Sequence, residues 1–527
     1  MKQTFLSILL MLLPMLASAD AVEIDGIWYN LVPKAKEAEV TSNPNGSKYS
    51  GSIEIPASVT YNDIKYSVTS IGESSFWQNS DLTSVTIPNN VTSIGDHAFQ
   101  YCSGLTSVTI PDGVNSIGQN AFYGTAWYNN QPDGLVYVGK IAYNYKGEMP
   151  ANTKITIKDG TLGITSYAFS DCFNLTSVII PNSMICIGEY AFSSCSGLTS
   201  IVVESGNQKY DSRNSCNAII ETSSNTLILG CMNTIIPNSV TSIGSGAFNE
   251  CNGLTAINIP NSVNYIDGNA FTNCSGLTSI NVESGNSQYD SRNSCNAIIE
   301  TSSNTLITGC KNTTIPNSIS SIGSGAFSGC IGLTSVSIPN SVTSIGDYSF
   351  FGCSGLTSVS IPNSVTSIGN NAFSFCSSLK SIIIPNSVTK IGWFVFMYCT
   401  NLTSIIFPSS VTSIGNNAFT NCSSLKDFYC WAESVPNVDY FGNTFEFATL
   451  HVPVVSLDAY KRADPWNTFG TIVALTENDP KPTGMQTVEI DGVNYNLNTD
   501  TKEASVVTPK DHPLMWTILE TLRFLHP

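Results

Sequence analysis

A phenylalanine returns at Phe76, Phe99, Phe122, Phe169, Phe192, Phe248, Phe271, Phe327, Phe350, Phe373, Phe396 and Phe419, most often after 23 residues. Three wider gaps keep the phase: two of 56, which is 23 plus an insertion of 33, and one of 47, which is 23 plus 24. A fixed period of this size marks a repeat array, in which no unit buries its own apolar face and stacking on the next unit creates the core. It outranks the length of 527 residues as a guide to domain count.

The unit "CSGLTSVSIPNSVTSIGNNAF", Cys353 to Phe373, carries apolar side chains at Leu356, Val359, Ile361, Val365, Ile368, Ala372 and Phe373. Neither a 3.6 period nor a long alternation fits it. Leu356, Val359 and Ile361 have the L-x-x-L-x-L spacing of a leucine-rich repeat, where a short strand sends alternate side chains inward. Pro362 stops the strand, having no N–H and a fixed φ. Val365 and Ile368 return to the core, Gly369 permits a bend, and Ala372 with Phe373 closes the turn. The stretch "IPNSVTSIG" recurs letter for letter at Ile236, Ile338 and Ile361, because a ladder sets like beside like. Twelve coils at about 4.8 Å per strand predict an elongated solenoid of roughly 50 to 60 Å.

Three residues after most of these phenylalanines stands a cysteine: Cys102, Cys172, Cys195, Cys251, Cys274, Cys330, Cys353, Cys376, Cys399 and Cys422. No C-x-x-C or mixed Cys/His spacing accompanies them, so no metal site and no cofactor are expected. Buried small hydrophobes are the expected role. The consensus C-S-x-L-T-S-V-x-I-P-N-S-V-T-S-I-G-x-x-A-F resembles the BspA-like leucine-rich repeats of bacterial surface proteins over roughly Gly51 to Leu475. That resemblance implies a repeat solenoid of the α/β leucine-rich type, mostly short parallel strands stacked in one sheet, with irregular or short helical convex segments and β-hairpin insertions. It also implies a secreted or surface-exposed protein of a host-associated bacterium, associated with adhesion to host extracellular matrix or cell-surface proteins.

The organisation read from the chain is a signal peptide over 1–19, an N-terminal cap over 20–50 and the solenoid over 51–425, with insertions at about 126–149, 202–234 and 281–313. A C-terminal cap over 426–475, a linker over 476–487 and the start of a second, truncated array over 488–527 follow. The export segment sets Lys2 before an apolar run from Phe5 to Leu16 and then small Ala17, Ser18 and Ala19; the run is short for a bilayer and Pro14 interrupts it. "VEIDGVNYNL" from Val488 echoes "VEIDGIWYNL" from Val22 at an offset of 466, after which the sequence from about Pro509 abandons the pattern, as a frameshift or truncation of a longer coding sequence would produce.

The two longer insertions share "YDSRNSCNAIIETSSNTLI", at Tyr210 and at Tyr289. Folding each about its Ser-Ser pair predicts a hairpin with Cys216 opposite Cys231 and Cys295 opposite Cys310, so a cross-strand disulfide and simple strand pairing are both open. "YDSRN" lacks the alternating oxygen ligands of a calcium loop and reads as a polar turn. The shorter insertion reads as a hairpin around Gly139, and its Trp127, Tyr128 and Tyr137 are candidate contacts for sugar or protein, with packing as the alternative.

Charged residues are 12% of the chain, and 22 Lys and Arg against 39 Asp and Glu leave a net charge of −17, which repels phosphate backbones and anionic lipid. A nucleic-acid partner is excluded on that ground, and no stretch after the N-terminus has membrane-spanning length. Four histidines, His97, His451, His512 and His526, fall in no nucleophile or metal motif, the core positions carry no acids, and no catalytic residues are assigned. Function is expected on outward positions of the strands: Ser335, Ser337, Ser358, Ser360, Ser381, Ile383, Ser404 and Ile406, a hydroxyl-rich face turning apolar along the chain. The expected activity is non-enzymatic, adhesin-like binding of a protein partner. The alternatives are a surface scaffold without a host ligand, or a carbohydrate-binding module if the insertion aromatics are exposed.

Overall fold

The computed structural model describes residues 21–482 except 443–444 and 477, and the backbone of strands Met485–Ile490, Val493–Asn498 and Glu503–Val506. The predicted export segment and the divergent residues from Pro509 lie outside the described residues. The chain forms two compact units, Met1–Pro237 with Asn249–Cys251, and Asn238–Phe248 with Asn252–Pro527.

In the first unit Val22–Ile24, Ile27–Val32 and Glu37–Thr41 form an antiparallel meander whose last strand runs parallel to Ile64–Ile71. Ser93–Ile94 and Ser116–Ile117 extend that sheet, one two-residue strand per coil. A separate parallel sheet, Gly51–Glu54, Leu82–Thr86 and Ser107–Thr109, takes the L-x-x-L-x-L strand of each coil. The solenoid of stacked parallel strands thus has two ladders where the sequence showed one. The second comes from "TSIG", too short for any period to reveal it. In the second unit it runs through Ser321–Ile322, Ser344–Ile345, Ser367–Ile368, Lys390–Ile391 and Ser413–Ile414.

Between the ladders lie columns of identical side chains. Phe327, Phe350, Phe373, Phe396 and Phe419 stack with ring centroids 5.1, 5.2, 5.9 and 5.6 Å apart, within the range for offset aromatic pairs. Cys353, Cys376, Cys399 and Cys422 each donate the S–H to a phenylalanine carbonyl of the preceding coil, as Cys376 does to Phe350 at 3.2 Å, while Cys330 donates to the Gly309 carbonyl of the hairpin before it. Threonines do the same from outside: the Thr366 hydroxyl donates to the Thr343 carbonyl at 3.2 Å, and Thr357 to Thr334 at 3.1 Å. The polar letters of the consensus are therefore staples between coils. Gly369 serves closeness more than bending, since a Cβ there would lie 2.5 Å from the backbone nitrogen of Asp347 in the preceding coil.

The insertions supply rungs of the second ladder. In the shortest, Gly134–Val138 pairs antiparallel with Ile141–Lys146, which then pairs in parallel with Gly163–Ile164. In the third, Ala297–Glu300 pairs with Thr305–Gly309, which runs parallel to Ser321–Ile322. Each 33-residue insertion thus forms the hairpin expected from its Ser-Ser turn.

Past Cys422 the wide sheet continues through Asp427–Cys430, Thr449–Val452 and Thr471–Ala474. Phe428, Phe441, Phe445, Trp466 and Phe469 fill the interior there with mostly edge-to-face contacts. The Trp466 indole N–H donates to the Pro436 carbonyl at 3.0 Å, and the Tyr460 hydroxyl to that of Ala432 at 2.9 Å. Beyond it, Val488 pairs with Tyr495 as Val22 pairs with Tyr29, so the echo in sequence is also an echo in strand register.

Candidate functional site: the outward faces of the coils

On the wide sheet of the second unit two outward columns form. One runs Ser381, Ser404, Asp427, Thr449 and Thr471, the other Ile383, Ile406, Tyr429, His451 and Val473. Ser335 pairs with Ser358 and Ser337 with Ser360 in the coils before them. Ser335, Ser337, Ser358, Ser360 and Ser381 are exposed, and Ile383 and Ser404 are half-buried. Ile406 is buried, a correction to its expected exposure: Ile383 and Tyr429 stand on either side of it in the same column, and large neighbours a strand apart shield it. A groove of about 290 Å³ brings together Ser358, Ser360, Ser381 and Ile383, with Pro385 at its edge.

The face ends in a polar-aromatic cluster that no sequence motif announces. Tyr429 stacks on the His451 ring at 4.3 Å, while His451 Nε2 lies 3.3 Å from Asp427 Oδ1 and Nδ1 lies 3.9 Å from Asp479 Oδ1. The Trp431 indole N–H donates to the Pro480 carbonyl at 3.1 Å. The start of the segment read as a linker is thus held on the cap.

Of the insertion aromatics Tyr128 is buried, and Trp127 and Tyr137 are half-buried against neighbouring residues. Tyr128 is buried on the short helix Ala126–Asn129, which Thr125 caps, and its hydroxyl donates to Asn144 Oδ1 at 2.6 Å. Burial, with Tyr123 adding to it, pushes the Tyr128 phenol up to about 12. Trp127 lies 5.3 Å from Phe122, and Tyr137 accepts from the Lys158 backbone N–H while the Lys158 ammonium sits 4.2 Å over its ring. All three fill the seam where a hairpin joins the coil stack.

The cysteines of the twin hairpins are free thiols, against the disulfide reading. The turn falls where expected, with Glu221 opposite Thr226, but a bulge between Ile219 and Ile220 slides the register so that Ala218 faces Gly230. Cys216 and Cys231 then pass out of register: Cys216 points to the Ala218 carbonyl and Cys231 donates to that of Asn217 at 3.3 Å. Cys295 and Cys310 repeat this, toward Ala297 and Asn296. In "YDSRN" the aspartate is used internally: Arg292 grips Asp290 through both Nε and Nη2 and reaches Asn304, as Arg213 does with Asp211 and Asn225. Among the described residues no group of three or more His, Cys, Asp and Glu side chains is placed to hold a metal, and no helix is long and apolar enough to cross a membrane.

Comparison with known proteins bears on this architecture. No curated protein matches the chain. In the crystal structures it is similar to a leucine-rich cell surface protein of Faecalibacterium prausnitzii, at 24% identity over 87% of this chain and 95% of that one, with a TM-score of 0.35. It is also similar to the pneumococcal vaccine antigen PcpA, at 17% identity over 86% and 98% of the two chains with a TM-score of 0.38. A leucine-rich repeat protein of Bacteroides ovatus matches at 27% identity over 86% and 100%, with a TM-score of 0.27. The family description "BspA type leucine rich repeat region (6 copies)" matches residues 55–129, 130–226, 229–308 and 299–426, more than half of the chain. The chain, with its two ladders, thiol column and 23-residue coil, belongs to the BspA-type leucine-rich repeat family.

Proposed function

We propose that this chain is a non-enzymatic binding protein of the bacterial exterior, adhesin-like, which takes an extended segment of a host extracellular matrix or cell-surface protein along the wide sheet of its C-terminal coils. The observation that carries the reading is the groove over Ser358, Ser360, Ser381 and Ile383, leading toward the Ile383, Ile406 and Tyr429 column. There the outward face changes from hydroxyls to apolar and aromatic groups, while the buried leucines Leu356, Leu379, Leu402 and Leu425 beneath it stay constant. A shallow, nearly uncharged groove beside an apolar column suits a main chain with alternating side chains better than a compact charged ligand. The export-like N-terminus and family membership support the location.

Retention of solubilised host matrix proteins on the immobilised full chain tests it. Saturable retention that weakens about tenfold or more in the Ser360→Arg, Ile383→Arg double variant is the expected result. Retention that the double variant leaves unchanged overturns the assignment of this face, and no retention by the native chain favours a surface scaffold.

A further inference from the structure

The coil from Val388 to Phe396 changes one interior residue, Val395 standing where Ala372 and Ala418 do, and breaks the repeat at two outward ones. At the position after the I-G step or its variants, other coils carry Glu73, Asp96, Gln119, Ser166, Glu189, Ser245, Gly268, Ser324, Asp347, Asn370 and Asn416; here it is Trp393. Three residues earlier, where neighbouring coils carry Ser344, Ser367 and Ser413, stands Lys390. Both project from the second ladder, on a different surface from the groove over Ser360 and Ile383, and both line a second groove of about 510 Å³. That volume is in the range of ligand-binding clefts.

An indole on a polar surface wants cover, yet Trp393 remains 60% exposed. Its Cδ1 edge lies over Gly415, where an added Cβ would come within 2.5 Å of it, so the ring rests on bare backbone. The groups flanking it along the groove are planar and polar. Asn370 Oδ1 accepts the Trp393 backbone N–H at 2.7 Å, which fixes that amide and leaves its Nδ2 without a protein partner among the described residues. On the far side Asn416 Nδ2 donates to Asp439 Oδ2 at 3.3 Å, holding a second amide and a carboxylate in place. Lys390 and Asp439 balance each other's charge.

We infer that this groove is a carbohydrate-binding site for a neutral oligosaccharide, with the Trp393 face taking the C–H face of one pyranose and Asn370, Asn416 and Asp439 taking hydroxyls of that ring and its neighbour. A lone exposed indole amid amides and hydroxyls matches a ligand that is itself apolar on one face and hydroxylated at its rim. A protein hot spot would instead be ringed by groups that exclude water. The balanced charge of the groove selects neutral over acidic sugars. This site is independent of the protein-binding reading.

The test is calorimetric and tryptophan-fluorescence titration of the full chain with cellohexaose, maltohexaose, chitohexaose and mannohexaose singly, and with tetragalacturonate as the acidic comparison. At least one neutral sugar is expected to bind saturably, with Kd between about 10 μM and about 1 mM. Trp393→Ala should weaken it about tenfold or more, Trp393→Phe less, and Asn370→Ala by several-fold, whereas Ser360→Arg on the other surface should leave it unchanged. Three results overturn the proposal: no saturable signal with any neutral sugar up to about 5 mM, binding that survives Trp393→Ala, or preference for tetragalacturonate. Because Trp393 lies on the surface, an unchanged melting temperature in its variants separates lost binding from lost folding.

Discussion

The interior and the surface of the same coils obey opposite rules. From Phe327 to Phe419 the buried ring is the same in every coil, and the stacked rings tilt by only 4°, 1°, 8° and 15°. Over the same coils the outward column passes from Ser337 and Ser360 to Ile383 and Ile406. A buried side chain in a solenoid has its own copy as neighbour, so any change must fit two identical partners at close packing. An outward side chain meets water above it and is released from that requirement. Departures from the repeat are therefore cheap on the surface and costly inside, and surface departures such as Lys390 and Trp393 are where recognition is to be sought.

The widest difference should come from Phe373→Ala, which removes a ring packed between Phe350 and Phe396 and leaves a cavity in the middle of the column. A loss of about 3–5 kcal/mol is expected in denaturant melts, with a transition that broadens as the stack is interrupted. A loss under about 1 kcal/mol would show that the column does not hold the coils together.

The thiol column should make stability fall with alkali. Burial, reinforced by neighbouring thiols, pushes Cys330 up to about 12, and burial alone raises Cys422 to about 12. Cys353, Cys376 and Cys399 are likewise raised well above the ordinary thiol range, burial first and adjacent thiols second. A folded pKa above the unfolded value of about 8.5 means the stabilisation is complete below that pH and lost as pH rises toward the folded values. The denaturation midpoint should hold to about pH 8 and drop steadily toward pH 11, less steeply in Cys376→Ala. At neutral pH iodoacetamide should label native protein first at Cys186, the one exposed cysteine among the described residues, and all 16 cysteines after denaturation without reductant. Protection of Cys216 and Cys231 in the denatured chain would contradict the register found for the hairpin.

A smaller effect is expected at the staples. Thr366→Val keeps the shape and removes the hydroxyl that bonds the Thr343 carbonyl, costing at most about 1 kcal/mol by thermal melt because water reaches the site. The smallest belongs to the surface: Ser360→Arg should change stability by less than about 0.5 kcal/mol. A larger loss there would erase the distinction between column and face.

Much of the interior was legible in the chain itself. Phe373, Cys376 and Val365 recur in one phase, and a recurring apolar residue in an array has no other use than the shared core. The turns at Ser223 and Ser302 were legible from chemistry alone, since Ser-Ser-Asn between alternating strands marks the reversal. The second ladder was not: Ser367 and Ile368 form a strand only because Ser344 and Ile345 lie beside them, and two residues carry no period. The bulge at Ile219 was equally silent, though one residue of slip sufficed to separate Cys216 from Cys231. Ile406 illustrates the same point on the surface, where exposure depends on the size of the residue a strand away.

The sequence by itself determined the coil, its stacking, the identity of the core columns and the family, because a ladder writes its contacts into the period: residue i touches residue i plus 23. Only the tertiary structure decided which polar letters are staples and which face water. It also decided that the insertion aromatics pack, that the twin hairpin thiols stand apart, and that Trp393 lies open on the second ladder between Asn370 and Asn416. Those outcomes hang on distances between neighbouring coils and on one-residue shifts of register, which leave no trace in a periodicity.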